Sequence, residues 1–250
     1  MHRDTIRRIH TINLKFYQSF ADPFSETRGR LQPGVERILQ RIPDSASVLD
    51  MGCGNGILVQ ALHQRGHEGV CIGVDQSEAF LQIAQVETRH PRVQFIHLDL
   101  TESDWSNRIL SAMAAFGIDV FDRIVAFAVL HHIPGAHTRL RLLRSVSKLL
   151  ARESRFHLSN WNFMTSPRLR SRIVPWKEAG LDESQVEDGD YLLDWRRGGR
   201  GLRYVHLFDE QELKSLASQA GFEVVEMFYS DGEGGRLGLY QTWVKRKRPG

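Results

Sequence analysis

Val48-Leu49-Asp50-Met51-Gly52-Cys53-Gly54-Asn55-Gly56 is the stretch that decides how this chain is read. Its first residues suit a short buried strand, its glycines a turn, and a helix is expected to start near Ile57. Glycine lets the backbone take a positive φ, or pass close to a ligand, where a Cβ would collide. The turn also aims the free N–H groups of a helix N-terminus at whatever lies above it. Two kinds of nucleotide-like ligand use this architecture. The dinucleotide fingerprint asks for a third glycine three residues after the second, and position 57 is Ile57. Instead an acid, Asp50, stands two residues before the first glycine. A carboxylate there repels a pyrophosphate and attracts a cation.

Outward from the turn, strands and helices alternate. Upstream, a helical stretch over about 5–20 ends at Asp22-Pro23, and a second runs from Pro33 to about Arg41. Downstream, the spacing predicts helices over about 57–65, 78–88, 104–116 and 137–150. Strands are expected over about 69–74, 93–97, 121–127 and 155–160. Such alternation predicts an α/β fold, a mostly parallel sheet with helices on both faces. It stops at Trp161. Residues 162–204 are polar, rich in Arg, Gly and Trp, and too long for a plain connection, so a lid is expected, with Gly198, Gly199 and Gly201 as hinges. Asp209 then caps a helix that Gly221 ends, and strands over 222–229 and 237–244 flank the loop Asp231-Gly232-Glu233-Gly234-Gly235. The expected parts are a helical cap over 1–45, a nucleotide-binding core over 46–161, an insertion over 162–204, and a helix and antiparallel hairpin over 205–250 that complete a seven-stranded sheet.

Composition agrees with a globular α/β chain. Of 250 residues, 41% are hydrophobic and 25% charged. No apolar run approaches the ~20 residues of a membrane span, and the polar N-terminus is no signal peptide. Cys53 and Cys71 form neither a CxxC pair nor a disulfide framework, which fits a reducing cytoplasm; no metal-ligand pattern is read. A net charge of +3 permits nucleic-acid contact without demanding it. The basic groups Arg168, Arg170, Arg172 and Arg196, Arg197, Arg200, Arg203 read most simply as solvated faces.

Two further acids end strands: Asp75, followed by Gln76, and Asp99, followed by Leu100. S-adenosylmethionine carries an ammonium group beside a sulfonium, the cation that Asp50 calls for. The three acids and the glycine turn together resemble the class I S-adenosylmethionine-dependent methyltransferases. That resemblance implies a Rossmann-like fold in which Asp50, Gly52, Cys53, Gly54, Asn55 and Gly56 surround the amino-acid moiety. It implies that Asp75 accepts hydrogen bonds from the ribose, that Asp99 takes the adenine amino group, and that the N–H after it meets a ring nitrogen. Gln76, Leu100, Phe127 and Tyr17 complete the expected cofactor contacts, Tyr17 as a closing group.

The fourth strand leads into Ala126-Phe127-Ala128-Val129-Leu130-His131-His132-Ile133, facing the methyl group. Base amine methylation usually uses an Asn/Asp-Pro-Pro-aromatic element there, and base C5 methylation a cysteine; neither is present. An oxygen, a carboxylate or another small nucleophile is therefore the expected acceptor. His131 and His132 are candidates for general base, for substrate donor, or for a helix cap.

A closer resemblance rests on Phe16-Tyr17-Gln18-Ser19-Phe20-Ala21-Asp22-Pro23-Phe24-Ser25-Glu26-Thr27-Arg28, Leu130-His131-His132-Ile133, Val174-Pro175-Trp176-Lys177 and Leu202-Arg203-Tyr204-Val205-His206-Leu207-Phe208. These are similar, in order, to the tRNA methyltransferases that esterify 5-carboxymethyluridine at the wobble position. The segment Tyr229 to Gln241 departs from that family's ending, which bears on the substrate rather than the chemistry. The resemblance implies a tRNA acceptor and permits a small activating subunit. Arg28 and Arg203 are expected to grip carboxylates of the cofactor or the acceptor by paired hydrogen bonds, with Tyr204 beside them. Trp161, Trp176, Lys177 and His206 are expected on the substrate side. The competing readings are a small-molecule O-methyltransferase, a catalytically silent cofactor-binding subunit, and a nicotinamide oxidoreductase, which Asp50 and Ile57 disfavour.

Overall fold

The computed structural model describes residues 1–19, 30–196 and 199–246. Helices α1 (Arg3–Ser19) and α2 (Pro33–Leu39) precede the central strand β1 (Val48–Met51). Then come α3 (Ile57–Gln64), β2 (Cys71–Asp75), α4 (Glu78–Glu87), β3 (Val93–His97), α5 (Trp105–Ala115) and β4 (Phe121–Phe127). They are followed by α6 (Ala136–Leu149) and β5 (Leu150–Trp161). β1 is buried along its whole length, so successive side chains enter opposite layers. Leu49 and Met51 join the larger core with residues of α5 and α6, and Val48 joins a second core with α2 and α3. Asp50 faces the same side as Val48.

After α8 (Glu210–Gln219), the strands β9 (Phe222–Ser230) and β10 (Gly238–Lys245) close the chain. Asp209 caps α8 by accepting from the Glu212 N–H at 2.7 Å. The seven-stranded sheet has the order β3-β2-β1-β4-β5-β10-β9. β3 through β5 run parallel and β10 is antiparallel to both neighbours, as the alternation and the final hairpin predict. The order reverses between β1 and β4, so their carboxyl ends open a crevice there. β5 begins five residues before its expected start; Arg152 and Glu153, both exposed, hide that first part from a hydrophobic reading.

The insertion differs more from expectation. It carries α7 (Pro167–Arg170) and a second sheet of β6 (Ile173–Val174), β7 (Asp190–Trp195) and β8 (Gly201–His206), antiparallel and in that order. One face packs Leu192 and Tyr204 against Ile9 of α1 and Trp176; the other packs Leu193 and Val205 against Phe163. A strand buried on both faces shows no polar alternation, which is why β7 escapes a periodicity reading. The boundary expected at 204 falls inside β8. Gly201 opens that strand, and Gly198 lies outside the described residues.

Helix α1 joins insertion and core. Its Asn13 amide donates to the carbonyl oxygens of His132 at 3.2 Å and Tyr204 at 3.3 Å, while its oxygen accepts from the Tyr204 N–H at 2.8 Å. Asn13 is 1% exposed, so these are bonds that water does not replace. Among the described residues no helix is long and apolar enough to cross a membrane.

Candidate active site

The glycine turn is pinned to the end of β2. The Gly52 and Cys53 N–H groups both donate to the Val74 carbonyl, at 2.7 and 3.0 Å, and the Gly54 N–H donates to Asp75 Oδ2 at 2.9 Å. Asp75 Oδ1 accepts from the Ser77 N–H at 2.8 Å. Gly52 has φ +70, and a Cβ there would lie 2.5 Å from Val129 Cγ2. Position 52 must be glycine on both counts. Gly56 starts α3 against Ala84 and Phe95.

Above the turn lies a cleft with about 940 Å³ of empty space, part of it open to solvent. Its floor is Gly52, Cys53, Gly54 and Asn55; one wall holds Asp75, Gln76, Asp99 and Leu100. α1 supplies the roof through His10, Asn13 and Tyr17. Phe127 and His132 close the far end. His132 Nδ1 lies 3.0 Å from the Tyr204 carbonyl, so that nitrogen carries the proton. Its Nε2 is then the acceptor for the Tyr17 hydroxyl at 2.7 Å.

A second cleft meets the first along Gly52, Cys53, Ile57, Phe127 and Ala128. Ala128, at φ +57, bends the chain sharply at that junction; its N–H donates to the carbonyl and hydroxyl of Ser159, at 3.0 and 3.1 Å. A non-glycine residue in this region costs about 1 kcal/mol or more. Among the described residues, five arginines line the second cleft: Arg30, Arg168, Arg172, Arg196 and Arg203. Arg203 is 4% exposed, its guanidinium carbon 4.4 Å from the Trp161 ring centre, 5.0 Å from Phe16 and 5.8 Å from Trp195. Alternation along β8 aims Arg203 and Val205 one way and Tyr204 and His206 the other, as the sequence predicts. The hairpin contributes Asp231, which accepts from the Gly34 N–H at 2.9 Å and from the Tyr240 hydroxyl. The segment that departs from the resembling family is thus part of this wall.

Asp50 also borders the second cleft. Burial, and then the Asp75 carboxylate, push its pKa up to about 8. Burial, with the same two acids behind it, pushes the Cys53 thiol well above its usual range. The turn therefore keeps a buried acid protonated until a cation beside it favours the carboxylate.

Several expected site residues lie elsewhere. His131 is fully buried; its Nδ1 is 3.4 Å from both the Asn160 Oδ1 and the Trp161 N–H, and its ring stacks on Trp161 at 5.2 Å. It borders neither cleft, so of the two histidines the structure sets only His132 at the cofactor cleft. Tyr204 is buried, its hydroxyl donating to Asp190 at 2.8 Å and accepting from Arg139 at 3.3 Å; only its backbone carbonyl reaches the site. His206 lies between Asp190 at 2.7 Å and Glu212 at 3.0 Å. Burial opposes its charged ring, but those two acids outweigh it and raise its pKa. Trp176 packs inside the insertion against Tyr204, and Lys177 is exposed away from both clefts. Arg28 lies outside the described residues. Arg168 and Arg196 are exposed, as read from sequence, and with Arg172 they also border the second cleft, while His10, Asn13 and Trp195 carried no signal at all. They come from elements distant in sequence, and spacing within one element cannot reveal them.

Comparison with known proteins agrees with this geometry. A family described as a methyltransferase domain matches residues 24–227. The tRNA (carboxymethyluridine(34)-5-O)-methyltransferase of Schizosaccharomyces pombe is 26% identical over 230 residues, covering 85% of this chain and 89% of its own length. The trans-aconitate 2-methyltransferase of Acidovorax ebreus is 39% identical over 79 residues, 31% of this chain and 29% of its own. Among solved structures, the CcbJ methyltransferase of Streptomyces caelestis superimposes with a TM-score of 0.66 at 19% identity, over 93% of this chain and 98% of that one. The residues present fit S-adenosylmethionine: a buried acid for its cation, two acids at successive strand ends, and a glycine floor that a Cβ would obstruct. The chain belongs to the methyltransferase-domain family and is an S-adenosylmethionine-dependent methyltransferase of the class I, Rossmann-like fold.

Proposed function

We propose that this enzyme methylates a carboxylate oxygen on an anionic acceptor, and that the carboxymethyl group of a wobble uridine in tRNA is that acceptor. The observation that carries the reading is the second cleft, with its five arginines and with Arg203 fixed among aromatic rings. A planar guanidinium binds a carboxylate through two parallel hydrogen bonds, and its confinement by Trp161 removes most of the entropy cost of doing so. S-adenosylmethionine supplies an electrophilic methyl group on a sulfonium. A carboxylate is already nucleophilic at neutral pH, so positioning rather than proton removal is what the protein must supply. No histidine lines the second cleft among the described residues, in keeping with an acceptor that needs no base. The outer arginines, exposed at the rim of this cleft, suit the phosphates of an RNA acceptor. The S. pombe relative, named for this reaction and aligned over most of both chains, supports the same acceptor.

Within this reading, His132 and Tyr17 organise the cofactor end, while Arg203 orients the carboxylate. Asp50 balances the cofactor's positive charge. A small-molecule carboxylate is the second reading, favoured by the departure of the Asp231 hairpin, which is a wall of the acceptor cleft. The deciding experiment supplies methyl-labelled cofactor and carboxymethyluridine-containing tRNA to the purified protein. Label that enters tRNA and is released by mild base is the expected ester. Base-stable label, or none in tRNA with transfer to small carboxylic acids, would overturn the tRNA assignment.

A further inference from the structure

Of the two histidines after β4, His131 is the one that borders neither cleft, and its ring is fully buried. Its surroundings nevertheless lead to the acceptor side. The ring lies on the Trp161 indole, with 5.2 Å between centres and 28° between planes. The Trp161 N–H can only donate, so His131 Nδ1 is its acceptor, at 3.4 Å. His131 thus holds Trp161 at its backbone and at its ring together. His132 meets that indole only edge-on, at 5.9 Å.

Trp161 in turn carries Arg203. Three rings surround the guanidinium, and they belong to different parts of the fold. Phe16 comes from α1 and Trp195 from β7 of the insertion, at 5.0 and 5.8 Å. Trp161, nearest of the three at 4.4 Å, ends β5 of the main sheet, which also carries the glycine turn after β1. It is therefore the ring that ties Arg203 to the body holding the cofactor. Trp161 is the last residue of its strand and only half-buried, so the ladder alone does not fix its indole.

We propose that His131 is a positioning residue for methyl transfer: it fixes the plane of Trp161, and through that plane sets the guanidinium of Arg203 against the cofactor cleft. The inference rests on the reading above, that Arg203 orients an acceptor carboxylate. In-line transfer depends on that orientation, and a displacement of about 1 Å costs on the order of 100-fold in rate. An arginine side chain has many rotamers, so a planar backing is what makes its fork a fixed one. The two adjacent histidines then divide the work. His132 serves the cofactor end and His131 the acceptor end, both carried by the short turn Leu130–His132 that follows Ala128.

The test is a double-mutant cycle read in kcat/KM for the acceptor, with S-adenosylhomocysteine affinity measured beside it by calorimetry. His131→Leu removes both the ring and the acceptor nitrogen. It should lower kcat/KM about tenfold or more, with cofactor affinity kept within about twofold. His131→Phe restores a stacked ring and should recover most of that loss. In an Arg203→Lys background, His131→Leu should cost less than about threefold, because the fork it serves is already gone. Should His131→Leu fail to fold, His131→Gln, which keeps an acceptor without a ring, takes its place. Losses that multiply, no recovery in His131→Phe, or a parallel fall in cofactor affinity would each overturn the proposal. The acceptor reading fails separately. An ester formed on a small carboxylic acid instead of tRNA moves the cycle to that acid and leaves His131 its role; a base-stable product from the parent protein removes the carboxylate, and the proposal with it.

Discussion

Raising the pH from 5.5 to 7.5 should tighten cofactor binding, and Asp50 is the reason. The side chain is 4% exposed, and burial followed by the Asp75 carboxylate lifts its pKa to about 8. In the protein without ligand it therefore holds a proton at neutral pH. The folded pKa lies above the unfolded value of 3.8, so the protonated group stabilises the fold fully below about pH 4 and loses that contribution as pH rises through about 8. At ~1.4 kcal/mol per pH unit, the interval corresponds to the order of 5 kcal/mol. A bound ammonium or sulfonium reverses the preference and favours the carboxylate, so binding releases this proton. Below pH 8 the association constant should then rise by up to about tenfold per pH unit. The window 5.5–7.5 keeps the ligand's own amino group charged, since it titrates near 8. Calorimetry at pH 6.5 in two buffers of different ionisation enthalpy should report about one proton transferred to the buffer. Asp50→Asn should abolish both the transfer and the slope, and should bind more weakly at pH 8. If the slope survives in Asp50→Asn, another group such as His10 carries it and the account of Asp50 is wrong.

Gly52→Ala should lose cofactor binding and lower the melting temperature, because φ +70 and a Cβ 2.5 Å from Val129 Cγ2 add strain to a clash; adding Val129→Ala should restore part of the stability, and no restoration would refute the clash. Arg203→Lys should fold normally yet turn over at least tenfold more slowly, about 1.4 kcal/mol of barrier, because lysine lacks the planar fork; an unchanged rate with the true acceptor would leave the arginine structural. Asp75→Ala should weaken cofactor affinity by roughly 1.5–3 kcal/mol and speed amide exchange at Gly54 and Ser77, whose N–H groups it accepts; calorimetry with an unaltered affinity would contradict the ribose role. Burial, then the nearby Arg123, lowers the His157 pKa to about 3, so the neutral ring's contribution is complete above pH 6.5 and lost as pH falls toward 3. Urea midpoints at pH 6.5 and 4 should therefore diverge less in His157→Phe than in the parent.

The parallel half of the fold was legible because each of its elements announces itself locally. Asp50 before Gly52, Asp75 after Cys71–Val74 and Asp99 after Val93–His97 are strand ends that a linear reading can find. The insertion was not legible in the same way. β7 buries Leu192 on one face and Leu193 on the other, which erases the period-two signature, and Gly201 looks like a hinge until β7 is seen pairing beside it. Tyr204 and His206 stand out as polar groups next to Arg203, yet alternation turns them into the interior, where Asp190 receives both. His131 and His132 are adjacent and chemically identical, so only the turn after β4 separates their surroundings. The arginines at 168 and 196 are solvent-facing charge as read, and only the cleft they share with Asp50 and Arg203 ties them to the site. His10 illustrates the limit most clearly, since its partner Asp99 is supplied by a loop beyond β3.

Asn13 has a consequence for the time course of assembly. Its bonds to Tyr204 bridge 191 positions of the chain. A helix of 17 residues is marginal in water without tertiary support, and closing so long a loop delays the contact that provides it. During synthesis α1 therefore emerges early and docks late, after β8 has left the ribosome. The parallel strands β1 to β5 can pair before then, leaving the cofactor cleft formed but roofless. Retention of S-adenosylmethionine thus marks the completion of folding. A nascent chain arrested ahead of Gly201 should already carry its parallel sheet while holding the cofactor poorly.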